Sequence, residues 1–175
     1  MQTFLPYSDF SVCATILDNK RLNKQIVEAY QIYTGRVPQS NHPACLMWEK
    51  NKFALAIYIG MMCVEYKKRF NKTHSVVEKV FSVHGDNAHF YMSLFNTPVP
   101  LFTRHPLIHL SHCVNLIRKD PDYYEPQLKV TVELACLLNY NRKVSIDEFP
   151  GGYYWPVEPV GKKARQDRQN WLEFK

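Results

Sequence analysis

The chain has 175 residues, of which 46% are hydrophobic and 14% aromatic, enough for one domain with a sizeable core over residues 1–175. Its 22 Lys and Arg against 16 Asp and Glu give a formal net charge of +6, which favours polyanionic partners. Five scattered cysteines argue against a disulfide framework or a zinc knuckle. With no signal peptide or long apolar run, we expect a cytoplasmic protein with reduced thiols and no membrane partner.

The first long helix is predicted over residues 18–34, with Asp18 as its N-cap and Gly35 as its stop. Apolar residues at helical spacing form one stripe of this helix, and polar residues form the opposite stripe. The polar stripe contains Arg21, Lys24, Gln25, Glu28 and Gln31. From spacing alone it is either a solvated face, with Arg21 or Lys24 paired to Glu28, or the wall of a site.

Helical periodicity continues after Pro43, and strand signals are poor. One helix is predicted from Pro43 to about Phe70, and because it is apolar nearly all round we expect it to be the central core helix. Further helices are predicted at about 74–83, 87–95, 105–119 and 126–138. After Phe149 the chain becomes irregular, aromatic and basic. The predicted fold class is therefore all-α, a compact single-domain helical bundle with an irregular C-terminal segment.

Three histidines, His105, His109 and His112, fall on one face of the predicted helix at 105–119. Rings at this spacing can ligate a metal, but a zinc site needs closely converging ligands with supporting hydrogen bonds. The alternatives are phosphate contacts, a neutral hydrogen-bonded network and plain surface residues. We favour phosphate contacts or a polar network, and predict no metal. Arg118 and Lys119, in the last turn, suit phosphates and also the helix dipole.

The C-terminal segment 161–175 carries half of the excess charge. It has five cations, Lys162 and Lys163 among them, against two carboxylates, a net of +3. Tyr154 and Trp155 lie close by in sequence, so this region combines cations for phosphates with rings for unstacked bases. A solvated tail pinned by aromatic packing is the alternative.

Several short motifs follow one another in the order found in a known family. They are the first ten residues MQTFLPYSDF, LDNKRLNKQIVE at 17–28, NHPA at 41–44 with MW at 47–48, HLSH at 109–112, LIRKDPDYY at 116–124 and YWP at 154–156. Together they resemble a bacterial branch of the pyrimidine-dimer DNA glycosylase family. An ordered set of motifs is far more specific than any one of them.

The resemblance implies a compact all-helical DNA glycosylase with lyase activity at abasic sites. In that family the N-terminal amine attacks the sugar C1′ and a glutamate on the first long helix assists, which implies Met1 and Glu28 as the catalytic residues here. We expect double-stranded DNA as the partner, no obligate protein partner, no cofactor, and a cytoplasmic or nucleoid-associated location. The expected DNA contacts are Arg21, Lys24, Gln25, Gln31, His109, His112, Arg118, Lys119, Tyr154, Trp155, Lys162 and Lys163.

Two features depart from the family pattern. Gln2 is too bulky for efficient removal of Met1, and once exposed it can cyclise and lose its amine. The arginines that flank the family glutamate fall here on Val27 and Gln31. These departures favour an alternative, a non-catalytic DNA-binding or accessory protein on the same fold. A different base-directed chemistry in the same pocket is a third hypothesis.

Overall fold

The computed structural model describes residues 2–38, 40–81, 96–128 and 153–157. Within these ranges the chain folds into helices joined by turns, which confirms the predicted all-α class. The helices are α1 (Phe10–Ile16), α2 (Asn19–Thr34), α3 (Pro43–Leu46), α4 (Lys52–Phe70), α5 (Val76–Phe81), a 3₁₀ helix (Leu101–Arg104), α6 (Pro106–Lys119) and α7 (121–128). The predicted helix at 87–95 lies outside the described residues.

Helix α2 begins and ends where its capping residues predict. The Asp18 carboxylate accepts a hydrogen bond from the Arg21 backbone N–H at 2.9 Å, which satisfies one of the unpaired donors of the first turn. Gly35 ends the helix with φ at +70°, a left-handed conformation that costs glycine little. Leu22, Ile26 and Ala29 are fully buried on the face that packs against α4.

The prediction of one continuous helix from Pro43 to Phe70 is wrong. Helix α3 ends at Leu46, and α4 begins at Lys52. Between them the Asn51 side chain donates to the Met47 carbonyl at 3.0 Å, which satisfies backbone that the helix no longer pairs. The break turns Trp48 into the core, where it is fully buried. The residues on both sides of the break are apolar, so the sequence pattern looks continuous. The break depends on the burial of Trp48 in the folded chain, which periodicity does not reveal.

Helix α4 packs against α1, α2 and α5, as expected for the core helix. Its apolar surface is not buried all round, since Phe53 is 43% and Val64 is 66% exposed. The four described cysteines are buried thiols that form no disulfide with one another, Cys13, Cys45, Cys63 and Cys113. Among the helices of the described ranges, none has both the length and the apolar content needed to cross a membrane.

Helix α1 was not predicted from the sequence. It is short, and its start is fixed by the Asp9 carboxylate, which accepts from the backbone N–H groups of Ser11 and Val12. Helix α6 agrees with the predicted 105–119. Helix α5 begins at Val76, two residues after the predicted start of 74–83, and residues 82 and 83 lie outside the described ranges. The helix predicted at 126–138 starts earlier, at residue 121, and residues 129–138 lie outside the described ranges.

Tyr124 on α7 joins the C-terminal half of the described fold to the start of α2. Its hydroxyl donates to the Asp18 carboxylate at 2.6 Å and accepts from the Asp18 backbone N–H at 3.0 Å. Burial opposes ionisation of Asp18, but hydrogen bonds from Tyr124 and Arg21 outweigh it and lower the pKa of this carboxyl. The same carboxylate therefore caps α2 and anchors α7.

Tyr124→Phe should destabilise the protein by about 1.5–3 kcal/mol, because a partly buried hydrogen bond to a carboxylate is lost. Urea unfolding followed by circular dichroism measures the change. Tyr123→Phe is the matched control, since the neighbouring ring at 4.8 Å makes neither Asp18 contact. Equal destabilisation by both variants would contradict the role given to the Tyr124 hydroxyl.

Candidate active site

Residues 2–5, here called the N-terminal segment, are held in place mainly by side chains of three helices. Gln25 on α2 is 1% exposed and donates from Nε2 to the Gln2 carbonyl at 2.9 Å. Its Oε1 accepts from the Phe4 N–H at 2.7 Å and from the Tyr58 hydroxyl at 2.9 Å. The Tyr58 hydroxyl also lies 3.0 Å from the Phe4 carbonyl. Gln25 therefore faces the interior, unlike most of the polar stripe.

The backbone N–H of Gln2 donates to Glu28 Oε2 at 3.0 Å. The second Glu28 oxygen lies 3.7 Å from Lys24 Nζ, and the two side chains are 14% and 66% exposed respectively. Gln25 and Glu28 are three residues apart on α2, so they lie on the same face and contact the two ends of the same residue. The Gln2 backbone nitrogen is thus held against a carboxylate.

Helix α6 supplies two histidines to the N-terminal segment. His112 is fully buried, and its Nδ1 lies 3.2 Å from both the Leu5 N–H and Gln2 Nε2. Burial, and then the nearby charge of His109, lowers the pKa of His112 to about 3, so the ring is neutral near pH 7. His109 contacts the carbonyl oxygens of Leu5 at 2.8 Å and Thr103 at 2.6 Å. This arrangement corresponds to the polar-network alternative.

The three histidines do not converge on one point. His105 Nδ1 accepts from the Leu107 N–H at 3.3 Å and caps α6, whereas His109 and His112 each contact backbone of the N-terminal segment. Within the part of the chain that the structure describes, no group of three His, Cys, Asp or Glu side chains is arranged to hold a metal ion.

An open cavity of about 460 Å³ lies over Gln2 and Glu28. Among the residues that the structure describes, its walls combine cations, aromatic rings and a single carboxylate. They are formed by Gln2, Phe4, Lys20, Arg21, Lys24, Gln25, Glu28, His42, Lys119, Tyr153 and Trp155. Three lysines and Arg21 against one Glu give the described cavity wall an excess of cations, which suits an anionic ligand with a flat ring.

Residues 1–78 match the family model described as pyrimidine dimer DNA glycosylase. This finding confirms the resemblance over that range. The matched range contains Gln2, Gln25 and Glu28, whereas His112 and Tyr153 lie beyond it. No curated protein and no solved structure matches the chain.

The expected site residues on α2 fall in different environments. Lys24, Gln25 and Glu28 line the cavity, but Gln31 is half-buried and does not. Arg21 also lines it, yet its guanidinium is already engaged. It pairs with Asp18, lies 3.5 Å from the Asp120 carboxylate, and donates to the Lys119 carbonyl at 3.2 Å. Arg21 is therefore a fixed cation that also ties α2 to the end of α6.

The remaining expected residues are spread more widely. Lys119 lines the cavity, and Arg118 is exposed beside it in sequence. Trp155 is 5% exposed, forms part of the cavity wall, and meets the His42 ring edge-on at 5.6 Å. Tyr154 packs instead against Leu110 and Val114, outside the cavity. Met1, Lys162 and Lys163 lie outside the described residues.

Lys20, His42 and Tyr153 line the cavity but were not among the predicted site residues. For two of them, the spacing in the sequence indicates a place beside a predicted site residue. Lys20 precedes Lys24 by one helical turn, which puts both on the same face of α2. Tyr153 and Trp155 alternate with Tyr154, and in extended chain alternate side chains share a side. His42 has no spacing relation to the other cavity residues, because its ring is placed by its own role as the N-cap of α3, where Nδ1 accepts from the Ala44 N–H at 3.1 Å.

Proposed function

We propose that the protein is a DNA glycosylase that removes a damaged or modified base from duplex DNA. The observation that carries the proposal is the Gln2 nitrogen at 3.0 Å from the Glu28 carboxylate, at the floor of a cavity rimmed by cations. The family match over residues 1–78 supports the same reaction class. Enzymes that act on a base inside a duplex must first extrude a nucleotide into such a pocket.

In the proposed reaction Glu28 handles the proton and a nucleophile attacks C1′ of the deoxyribose. The bond from C1′ to the base breaks, and the base leaves with the electron pair and takes up a proton. If the nucleophile is a terminal amine, its nitrogen bonds to C1′, and opening of the sugar ring gives a Schiff base that supports strand cleavage. If it is water, Glu28 removes its proton, and an abasic sugar is the product.

The position of Gln2 supports its own nitrogen as the proposed amine. The Gln2 nitrogen contacts Glu28 directly, whereas Met1 lies outside the described residues. While Met1 is attached, the Gln2 nitrogen is an amide whose lone pair is delocalised, so it donates a hydrogen bond and cannot attack. Cleavage between Met1 and Gln2 is then the step that creates the nucleophile.

The same observation supports the second candidate, a DNA-binding protein without chemistry. In a chain that keeps Met1, the amide N–H of Gln2 satisfies Glu28 and blocks the nucleophilic route. Incubation with duplexes that carry defined lesions or abasic sites separates the two candidates. Base release or strand scission, seen on denaturing gels, supports the glycosylase. Tight binding with no product supports the binding protein.

Binding to duplex DNA should weaken steeply with salt, because Lys20, Lys24 and Lys119 at the cavity are suited to neutralise phosphates. We expect the logarithm of the binding constant to fall against the logarithm of salt concentration with a slope steeper than about −2. Fluorescence anisotropy with a labelled duplex measures it. Lys24→Ala should reduce the slope by about 1, and Lys50→Ala, at an exposed position outside the cavity, should leave it unchanged. A shallow slope that neither variant alters would contradict phosphate binding at this cavity.

A further inference from the structure

We infer that His112 is a positioning residue, which fixes Gln2 so that the Gln2 nitrogen stays on the Glu28 carboxylate. This inference rests on the proposed function. His112 reaches neither Glu28 nor the cavity wall, and it acts through the side chain of Gln2 and the backbone of Leu5. It therefore extends the site to α6, beyond the range that matches the family model.

Gln2 is held at three points by three different side chains. Glu28 accepts from its nitrogen at 3.0 Å, Gln25 donates to its carbonyl at 2.9 Å, and His112 Nδ1 lies 3.2 Å from its side-chain Nε2. The carboxamide Nε2 also donates to the Thr3 carbonyl at 3.3 Å. Contacts from the nitrogen, the carbonyl and the side chain leave Gln2 little freedom to rotate the nitrogen away from Glu28.

The hydrogen bonding of His112 shows which of its atoms the fold uses. Nδ1 accepts from two donors, the Leu5 N–H and Gln2 Nε2, so the proton of the neutral ring is on Nε2. That Nε2 has no partner among the described residues, and a buried polar atom without a partner costs free energy. An apolar side chain would fill the space between Phe4 and Tyr153 without this cost. The acceptor at Nδ1 is therefore the property that requires histidine.

Small displacements matter at this point of the molecule. A nucleophile must lie within about 3–3.5 Å of the atom it attacks, and a shift of about 1 Å can lower the rate about 100-fold. The cavity side of Gln2 faces solvent, so its contacts with Gln25, Glu28 and His112 are the side-chain contacts among the described residues that oppose such a shift.

The test compares two substitutions that keep or remove the acceptor. In His112→Asn the carboxamide oxygen occupies about the position of Nδ1, and the unpaired Nε2 is deleted. In His112→Leu the acceptor is lost and the bulk is kept. We measure the single-turnover rate of base release at saturating DNA, the dissociation constant, and hydrogen exchange of the Leu5 amide in the full-length protein.

We expect His112→Leu to lower the rate roughly 10- to 100-fold while the dissociation constant changes less than about twofold. Exchange of the Leu5 amide should become roughly tenfold faster or more, since its acceptor is gone. His112→Asn should restore the rate to within about threefold of the parent protein and restore the protection of Leu5.

Equal loss of rate in both variants, or a parent-like rate in His112→Leu, would overturn the inference, because packing alone would then explain the ring. If His112→Leu does not fold, Gln2→Met removes the same contact between Gln2 Nε2 and His112 Nδ1 by changing the half-buried Gln2 instead. It should lower the rate of base release by a similar factor. A parent protein that releases no base would contradict the proposed function but not the role of His112. The exchange of Leu5 in the two His112 variants still decides whether His112 fixes the segment.

Discussion

Glu28→Gln should lower base release by roughly 100-fold or more, the usual contribution of a general acid or base. The substituted carboxamide can still accept the hydrogen bond from the Gln2 nitrogen at the same place, so the geometry is kept. What is lost is the ability to take up and return a proton. Single-turnover assays on a lesion-bearing duplex, with the dissociation constant measured in parallel, test this expectation.

The matched control is Glu49→Gln, which removes the same charge from an exposed position outside the cavity. It should leave both the rate and the dissociation constant unchanged. Thermal unfolding of both variants checks that the fold is intact. Unchanged turnover in Glu28→Gln, or loss of the folded state, would instead give Glu28 a structural role at the start of the chain.

Protein that begins at Gln2 should form a covalent complex with abasic duplex when borohydride is added. Protein that keeps Met1, or that is acetylated at Gln2, should form roughly tenfold less or none. The free Gln2 amine would lie within hydrogen-bond distance of the Glu28 carboxylate. A usable fraction of such an amine is neutral near pH 7–8 and can therefore attack the sugar. Mass spectrometry of the starting protein checks that the Gln2 amine has not been lost by cyclisation.

Two other outcomes would assign the nucleophile differently. Equal trapping of the form that keeps Met1 would give the role to the Met1 amine. Trapping that persists with a blocked terminus would shift the role to a lysine, and Lys24, 3.7 Å from Glu28, is tested with Lys24→Arg. Base release without any trapping points to water activated at Glu28.

The sequence predicts α2 well because its signals are local. Asp18 and Gly35 are capping residues whose effect depends on the adjacent backbone alone. The break between α3 and α4 was missed because it depends on a contact that is distant in sequence. Trp48 lies in the core, where its indole N–H donates to the Thr3 hydroxyl at 2.9 Å. Tertiary packing therefore overrides a periodicity that looks continuous.

The candidate site was predicted only in part for the same reason. Glu28 follows from the resemblance, and Lys24 from its spacing. In the sequence, Gln25 looks like any polar residue of a solvated stripe. It is buried because its side chain hydrogen-bonds the Gln2 carbonyl and the Phe4 N–H, and these backbone groups are distant from it in sequence. The contact of His112 with Leu5 spans 107 residues, and no spacing rule links two such positions.

That long span also has a consequence for biosynthesis. The N-terminal segment cannot be closed in before α6 has been translated, since His109 and His112 lie 104 and 107 residues beyond Leu5. At roughly 5–20 residues per second, the ribosome needs on the order of 5–20 s to reach them. During this interval residues 2–5 lack the contacts of His109 and His112, and the folding of α6 onto them supplies these contacts. The full set of contacts that holds Gln2 against Glu28 is therefore completed only after α6 has been translated.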